Sequence, residues 1–275
     1  MTASRIDRHA ARNDLAYAAV TIAGLSRLLE GPLLWPVAVL LLGAVLLGSL
    51  QVLAEDDPAG GTLGVPIESL IVPSVAAVAC LGAIRLVPIG LSIVPALFLT
   101  WFLVRRTLAL EGRILAAESA LRDADRTDVL VTTLLVAFLA FSGVAALVAG
   151  GAGSTDATPT PSLPEPDLLL LVVADGVVAF LLGYRASALR PMTLTDTLWS
   201  ALTYAVCIAV AAAALRAMAI PRLLGPAILT LVFYLWDAFH AADGTRRREG
   251  RWLWQTAVLA GLGVVVVAWN LLLRR

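Results

Sequence analysis

The chain consists largely of apolar stretches long enough to cross a lipid bilayer. Residues 33–53 and 129–148 are two examples, and about 20 consecutive apolar residues suffice for one helical crossing. Of the 275 residues, 60% are hydrophobic and 15% are charged, against roughly 45–50% and about 25% in soluble domains. A water-soluble globule cannot bury this much apolar surface, so the sequence predicts an all-α, polytopic transmembrane helix bundle.

The charged residues and cysteines exclude several function classes. Twenty basic residues balance twenty acidic ones, which does not favour nucleic-acid binding. Every basic residue is arginine, and without lysine no Schiff base can form. The Arg-only, Ala-rich composition indicates a prokaryotic protein, placed in the cytoplasmic (plasma) membrane. Cys80 and Cys207 lie in apolar runs and are expected to be buried structural thiols, so neither a metal nor a cofactor is expected.

Eight apolar stretches recur along the chain, separated by polar or proline-containing segments: 33–53, 67–84, 86–104, 129–148, 168–184, 198–215, 223–239 and 252–272. The apolar part of residues 1–31 is too short to span, which predicts a cytoplasmic interfacial helix ahead of a bundle over 32–275. Residues 105–127 carry an apolar stripe at helical spacing and are expected to form a cytoplasmic amphipathic helix.

The arginine distribution favours seven crossings with a cytoplasmic N-terminus. If 67–104 crosses once, as a broken or re-entrant segment, fifteen arginines lie inside and four outside, with Arg85 in the membrane. If 67–84 and 86–104 each cross fully, nine arginines lie inside and eleven outside. Eight complete spans are the alternative topology.

A local repeat marks the broken segment. Val65-Pro66-Ile67 through Pro73 resembles Val87-Pro88-Ile89 through Pro95, with six of nine positions identical. Proline interrupts helix hydrogen bonds, so both halves should be kinked or start late. Half-helices of this kind line binding sites in transporters, although chance similarity among Val, Ile and Pro residues explains the match equally simply.

Two opposite charges, Arg85 and Asp175, interrupt apolar stretches and are expected to pair or share a polar cavity. A charge at mid-bilayer costs about 2.5–3.5 kcal/mol and normally finds a partner. The pair could form a substrate or ion site, or only a structural ion pair. Alternatively, Arg85 lies in a turn at headgroup level.

The end of the seventh stretch carries Asp237 and His240, which share a helix face. Such a pair could relay protons, or it could simply be the polar end of a helix. The arginines Arg246, Arg247, Arg248 and Arg251 could bind anionic lipid headgroups or serve only as topology signals.

The leading functional hypothesis is a small transporter or channel-like protein with a polar site at Arg85 and Asp175. The alternative is a non-catalytic membrane subunit, anchor or assembly factor; a lipid-modifying enzyme is a weaker third, because common enzyme motifs are missing. Expected partners are membrane lipids and either another membrane protein or a second copy of the chain.

Overall fold

In a computed structural model, the secondary structure of the described residues is entirely helical. The described residues are 3–29, 33–56, 65–88, 90–116, 123–148, 165–190, 192–218, 220, 224–242 and 249–273. Within them the helices are α1 (Ala3–Leu25), α2 (Leu34–Asp56), α3 (Glu68–Ala83), α4 (Ile93–Ala116), α5 (Asp123–Leu147), α6 (Glu165–Ala188), α7 (Leu194–Ala217), α8 (Leu224–Ala241) and α9 (Gly250–Leu273).

Eight of these helices, α2 to α9, are long and apolar enough to cross a membrane. The protein is therefore an integral membrane protein built as a helical bundle, and the fold class predicted from the sequence is confirmed. The first helix, α1, is the described helix that does not qualify as a span.

The segment expected to cross once is two separate helices of spanning length, Glu68–Leu86 and Ile93–Ala116. The first of them ends in a 3₁₀ turn at Ile84–Leu86, and between the two lies Gly90, whose φ of 155° suits glycine. The predicted span ended at Arg105 and Arg106, whereas α4 continues past them and gains the length of a full crossing. With both helices counted as crossings, the arginine split is nine to eleven, so the asymmetry that favoured a cytoplasmic N-terminus disappears.

The four prolines of the repeat occupy different structural positions. Pro66 precedes α3, and Pro73 lies inside that helix. Pro88 lies in the break before α4, and α4 begins seven residues later than the predicted stretch. Pro95 falls in the first turn of α4, where a backbone N–H has no partner within the helix, so proline removes no helix hydrogen bond there. The predicted amphipathic helix over 105–127 is divided: 105–116 complete α4, 117–122 lie outside the described residues, and 123–127 begin α5.

The chain divides into two compact units, Met1–Ala146 and Leu147–Arg275. In the first unit α1 packs against α2, α3 and α4, burying Ala16, Ala19 and Ala23. The helices α3 and α5 cross closely where Gly82 and Gly143 meet backbone to backbone. Small residues at such crossings are typical of membrane helices, which gain stability from close packing because lipid offers no hydrophobic driving force between helices.

The second unit is built on a hairpin of α6 and α7 joined by a short connection. Gly183 lies against the ring of Tyr204, and Gly176 faces the Ala205 carbonyl, so these two helices approach closely. The helix α8 packs on this hairpin and α9 packs on α8. None of the spanning window of α9 is buried.

Candidate functional site

Arg85 lies at the end of α3, where it forms a reciprocal cap with Arg27 at the end of α1. The Arg85 Nη1 atom donates to the carbonyl oxygens of Ser26 at 2.9 Å and Leu29 at 3.1 Å. Arg27 donates in return to the carbonyl of Arg85 at 2.9 Å and to that of Val87. Each guanidinium therefore donates hydrogen bonds to carbonyl groups beside the end of the other helix, and the negative end of the helix dipole favours both cations.

Asp175 is buried in α6, with 3% of its surface exposed. Among the described residues its Oδ1 atom has no hydrogen-bond partner. Arg216, near the end of α7, is close enough to interact electrostatically with this carboxylate. Asp175 thus has a cationic neighbour within its own unit and one oxygen that stays open to a further donor.

The predicted pairing of Arg85 with Asp175 joins residues of the two different units. Within its own unit each residue has another neighbour: Arg85 has the end of α1, and Asp175 has Arg216. The expected ion pair stays a prediction, whereas the placement of Arg85 at a helix end agrees with the alternative of a turn position.

A second polar cluster lies where the α6–α7 hairpin meets α8. One oxygen of Asp237, Oδ1, accepts from Arg190 Nη2 at 2.6 Å and from the Tyr204 hydroxyl at 2.7 Å. The neighbouring Trp236 donates from Nε1 to the Thr203 hydroxyl at 3.1 Å. These bonds tie α8 to α7 and to the connection that follows α6. Asp237 was predicted as part of a relay, and its observed hydrogen-bond partners are Arg190 and Tyr204.

His240 lies in the last turn of α8, beside this cluster. Its Nδ1 atom is 3.0 Å from the carbonyl oxygen of Trp236. Its ring packs against those of Trp236, Tyr204 and Phe239, with centroid separations of 5.0, 5.7 and 5.8 Å. The structure thus brings the two predicted relay residues into one cluster, joined through Tyr204.

Between Asp175 and the α8 cluster lies an apolar part of the hairpin. We call the buried face of this hairpin the hairpin seam; it comprises Asp175, Ala179, Leu182, Tyr204, Ile208 and Ala212. Residues 176–182 and 205–211 carry no charged side chain, and their polar side chains are limited to the Cys207 thiol. The seam therefore has polar groups towards both ends and an apolar layer between them.

The remaining predicted site residues are distributed elsewhere. Arg246, Arg247 and Arg248 lie outside the described residues, and Arg251 is exposed in the first turn of α9. No group of three His, Cys, Asp or Glu side chains that could hold a metal ion occurs in the described part of the chain.

Sequence reasoning missed Arg216, Tyr204 and Arg190. The predicted span ended at Leu215, so Arg216 was assigned to a loop, although it follows buried Ala212 by four residues and shares its helix face. Extending the helical spacing by one turn would have identified it. Two further buried charges, Glu111 and Arg185, were also assigned to polar segments outside the apolar stretches.

Comparisons with protein-family models, curated proteins and solved structures found no match to this chain.

Proposed function

We propose that the protein is a small transporter or channel-like membrane protein in which Asp175 binds the transported ion. The observation that carries this proposal is the open oxygen of a carboxylate buried inside a spanning helix. Burying a charge at membrane depth costs several kcal/mol, about 2.5–3.5 on insertion scales. A purely structural buried carboxylate would be expected to have hydrogen-bond partners for its oxygens.

The position of Asp175 along α6 supports the same proposal. Ten residues separate it from the start of the helix and thirteen from the end, which is roughly 15 and 20 Å at 1.5 Å per residue. Arg216 supplies a counter-charge, which lowers the free-energy cost of a buried carboxylate in this position while no ion is bound. Arg216 therefore replaces Arg85 as the neighbour on which the proposal relies.

The test is ion flux by the purified protein in liposomes, with dyes for H⁺, Na⁺ and K⁺. We expect Asp175→Asn to lower the flux of the transported ion at least tenfold, because the amide cannot bind a cation as the carboxylate does. Asp196→Asn is the matched control, since Asp196 is an exposed carboxylate on the neighbouring helix of the same unit. Equal flux through Asp175→Asn and wild type would refute the proposal.

A second candidate function, a non-catalytic membrane subunit, is favoured by α9. None of its spanning window is buried, and Trp254 and Trp269 near its two ends are exposed. Such a helix can be covered by lipid or by another membrane protein. Native mass spectrometry of the protein extracted in nanodiscs tests this function: a stoichiometric second protein supports it, and lipid alone argues against it.

A further inference from the structure

We infer that the transported ion is a proton, and that it enters or leaves the second unit at His240 Nε2. This inference rests on the proposed function and specifies its substrate. Three observations support it. They are the tautomer of His240, the groups around its imidazole ring, and the hairpin seam, which extends from this ring along α6 and α7 to Asp175.

The hydrogen bond of His240 decides which nitrogen is open. A carbonyl oxygen only accepts, so Nδ1, at 3.0 Å from the Trp236 carbonyl, must carry the hydrogen. In the neutral ring Nε2 is then the acceptor, and it is the atom at which a proton adds. Histidine is the side chain whose ordinary titration lies near neutral pH, which suits it to accept and release protons there.

Aromatic rings and the end of a helix surround His240. Its ring is close to the rings of Trp236, Tyr204 and Phe239. It also lies in the last turn of α8, where the helix dipole favours positive charge. The titratable or charged groups on the elements packed around it are Tyr234 and Asp237 on α8, Asp196, Tyr204, Cys207 and Arg216 on α7, Glu165, Asp167, Asp175, Tyr184 and Arg185 on α6, Arg190 after α6, and Glu249 and Arg251 at the start of α9.

Tyr204 connects the imidazole to the hairpin seam. Its ring contacts His240 while its hydroxyl donates to Asp237. On α7 it is followed at steps of four residues by buried Ile208 and Ala212. Tyr204 lies twelve residues before Arg216, roughly 18 Å along the helix. The seam therefore runs from the imidazole to the pair of Asp175 and Arg216.

The arginines argue for a proton over a metal cation. Asp237 binds Arg190 at 2.6 Å, and Asp175 has Arg216 as its electrostatic neighbour. A sodium or potassium ion at either carboxylate would need several further oxygen ligands, and the structure places a guanidinium beside each carboxylate instead. A proton needs one oxygen or nitrogen with a free lone pair, which Asp175 Oδ1 and His240 Nε2 provide.

The apolar layer of the seam acts as the barrier between the two proton-binding groups. Leu182 and Ile208 are almost completely buried, and no described charged side chain lies between residues 176 and 182 or between 205 and 211. Apolar constrictions of this kind close a pathway by excluding water. Proton passage then requires water to enter the layer, and replacing Leu182 by serine should raise the rate.

The test uses the full chain in liposomes carrying a pH-sensitive dye, with a potassium diffusion potential as driving force. We expect proton flux in the wild-type protein, and in His240→Gln at least a fivefold loss of that flux together with a changed pH profile. The control is His9→Gln, which removes the other histidine of the chain. The His9→Gln protein also leaves His240 as a single NMR signal, and its ¹⁵N shifts should show the Nδ1–H tautomer.

The outcomes separate this inference from the proposed function. Flux of Na⁺ or K⁺ without proton flux, abolished by Asp175→Asn, would overturn the inference and leave the transporter intact. Proton flux lost in Asp175→Asn but unchanged in rate and pH profile in His240→Gln would overturn the role of His240. An Nε2–H tautomer in the spectrum would also overturn it. Absence of any ion flux in the wild-type protein would refute both.

Discussion

The glycine contact between α3 and α5 makes a sharp prediction about stability. A Cβ atom added at Gly82 would lie 2.5 Å from the Cα atom of Gly143, 2.7 Å from its carbonyl oxygen and 2.8 Å from its carbonyl carbon. All three are backbone atoms, so no side-chain rotation can relieve the clash. Gly82→Ala therefore forces the two helices apart.

The size of the effect follows from these distances. Carbon atoms in contact lie about 3.5–4.0 Å apart, so α3 and α5 must separate by about 1 Å. A gap of that size forfeits roughly a quarter to a half of the dispersion energy of each contact across the crossing. Overpacking of this kind typically costs about 1–3 kcal/mol, while alanine regains up to about 1 kcal/mol of helix propensity.

Gly43→Ala is the matched control, because a Cβ atom at Gly43 in α2 would meet nothing within 4 Å. The two variants share the change in helix propensity and differ in the clash. We expect the free energy of unfolding, measured by SDS titration in mixed micelles, to be about 1–3 kcal/mol lower for Gly82→Ala than for Gly43→Ala. Equal stabilities would show that the crossing is looser than the structure has it, and the reasoning would fail.

Three further substitutions test other contacts. Gly183→Ala places a Cβ atom 2.9 Å from the Tyr204 Cβ. It should therefore lower the midpoint temperature of thermal unfolding and weaken the hydrogen bond from the Tyr204 hydroxyl to Asp237; an unchanged midpoint temperature would contradict this. Arg85→Gln removes two bonds to carbonyl oxygens and should cost about 1–3 kcal/mol in SDS unfolding, whereas a neutral effect would argue against the reciprocal cap. Asp128→Asn removes the shared partner of two partly exposed arginines and should cost less than about 1 kcal/mol; a larger loss that persists in high salt would refute its assignment as a surface ion pair.

The sequence predicted the existence of the helices well and their ends less well. Hydropathy marks the apolar middle of a spanning helix, so all eight apolar stretches correspond to helices of the structure. Helices in this protein continue into charged segments, as α4 does through Arg105 and Arg106. Ending the third stretch at its first arginine therefore shortened α4, and the arginine split then favoured a single broken crossing over 67–104.

The candidate site was predicted in part. Asp175 and Asp237 were selected because a carboxylate in or beside an apolar stretch is costly, and both are involved in polar contacts in the structure. Their partners could not be read from the sequence, since they depend on which helices pack together. Arg216 and Arg190 become neighbours of these carboxylates only through the pairing of α6 with α7 and the packing of α8 on that pair.

With eight helices counted as crossings, the arginine count favours neither orientation of the chain, for a related physical reason. With no lysine in the chain, arginine must both mark the membrane surface and satisfy polar groups inside the molecule. Arg27 and Arg85 cap helix ends, and Arg106 and Arg113 bind Asp128. Arg190 binds Asp237, and Arg216 is the electrostatic neighbour of buried Asp175. The position of an arginine that binds such a partner is set by the partner, whichever side of the membrane the partner lies on. Counting these arginines together with those that face the headgroups therefore dilutes the positive-inside signal.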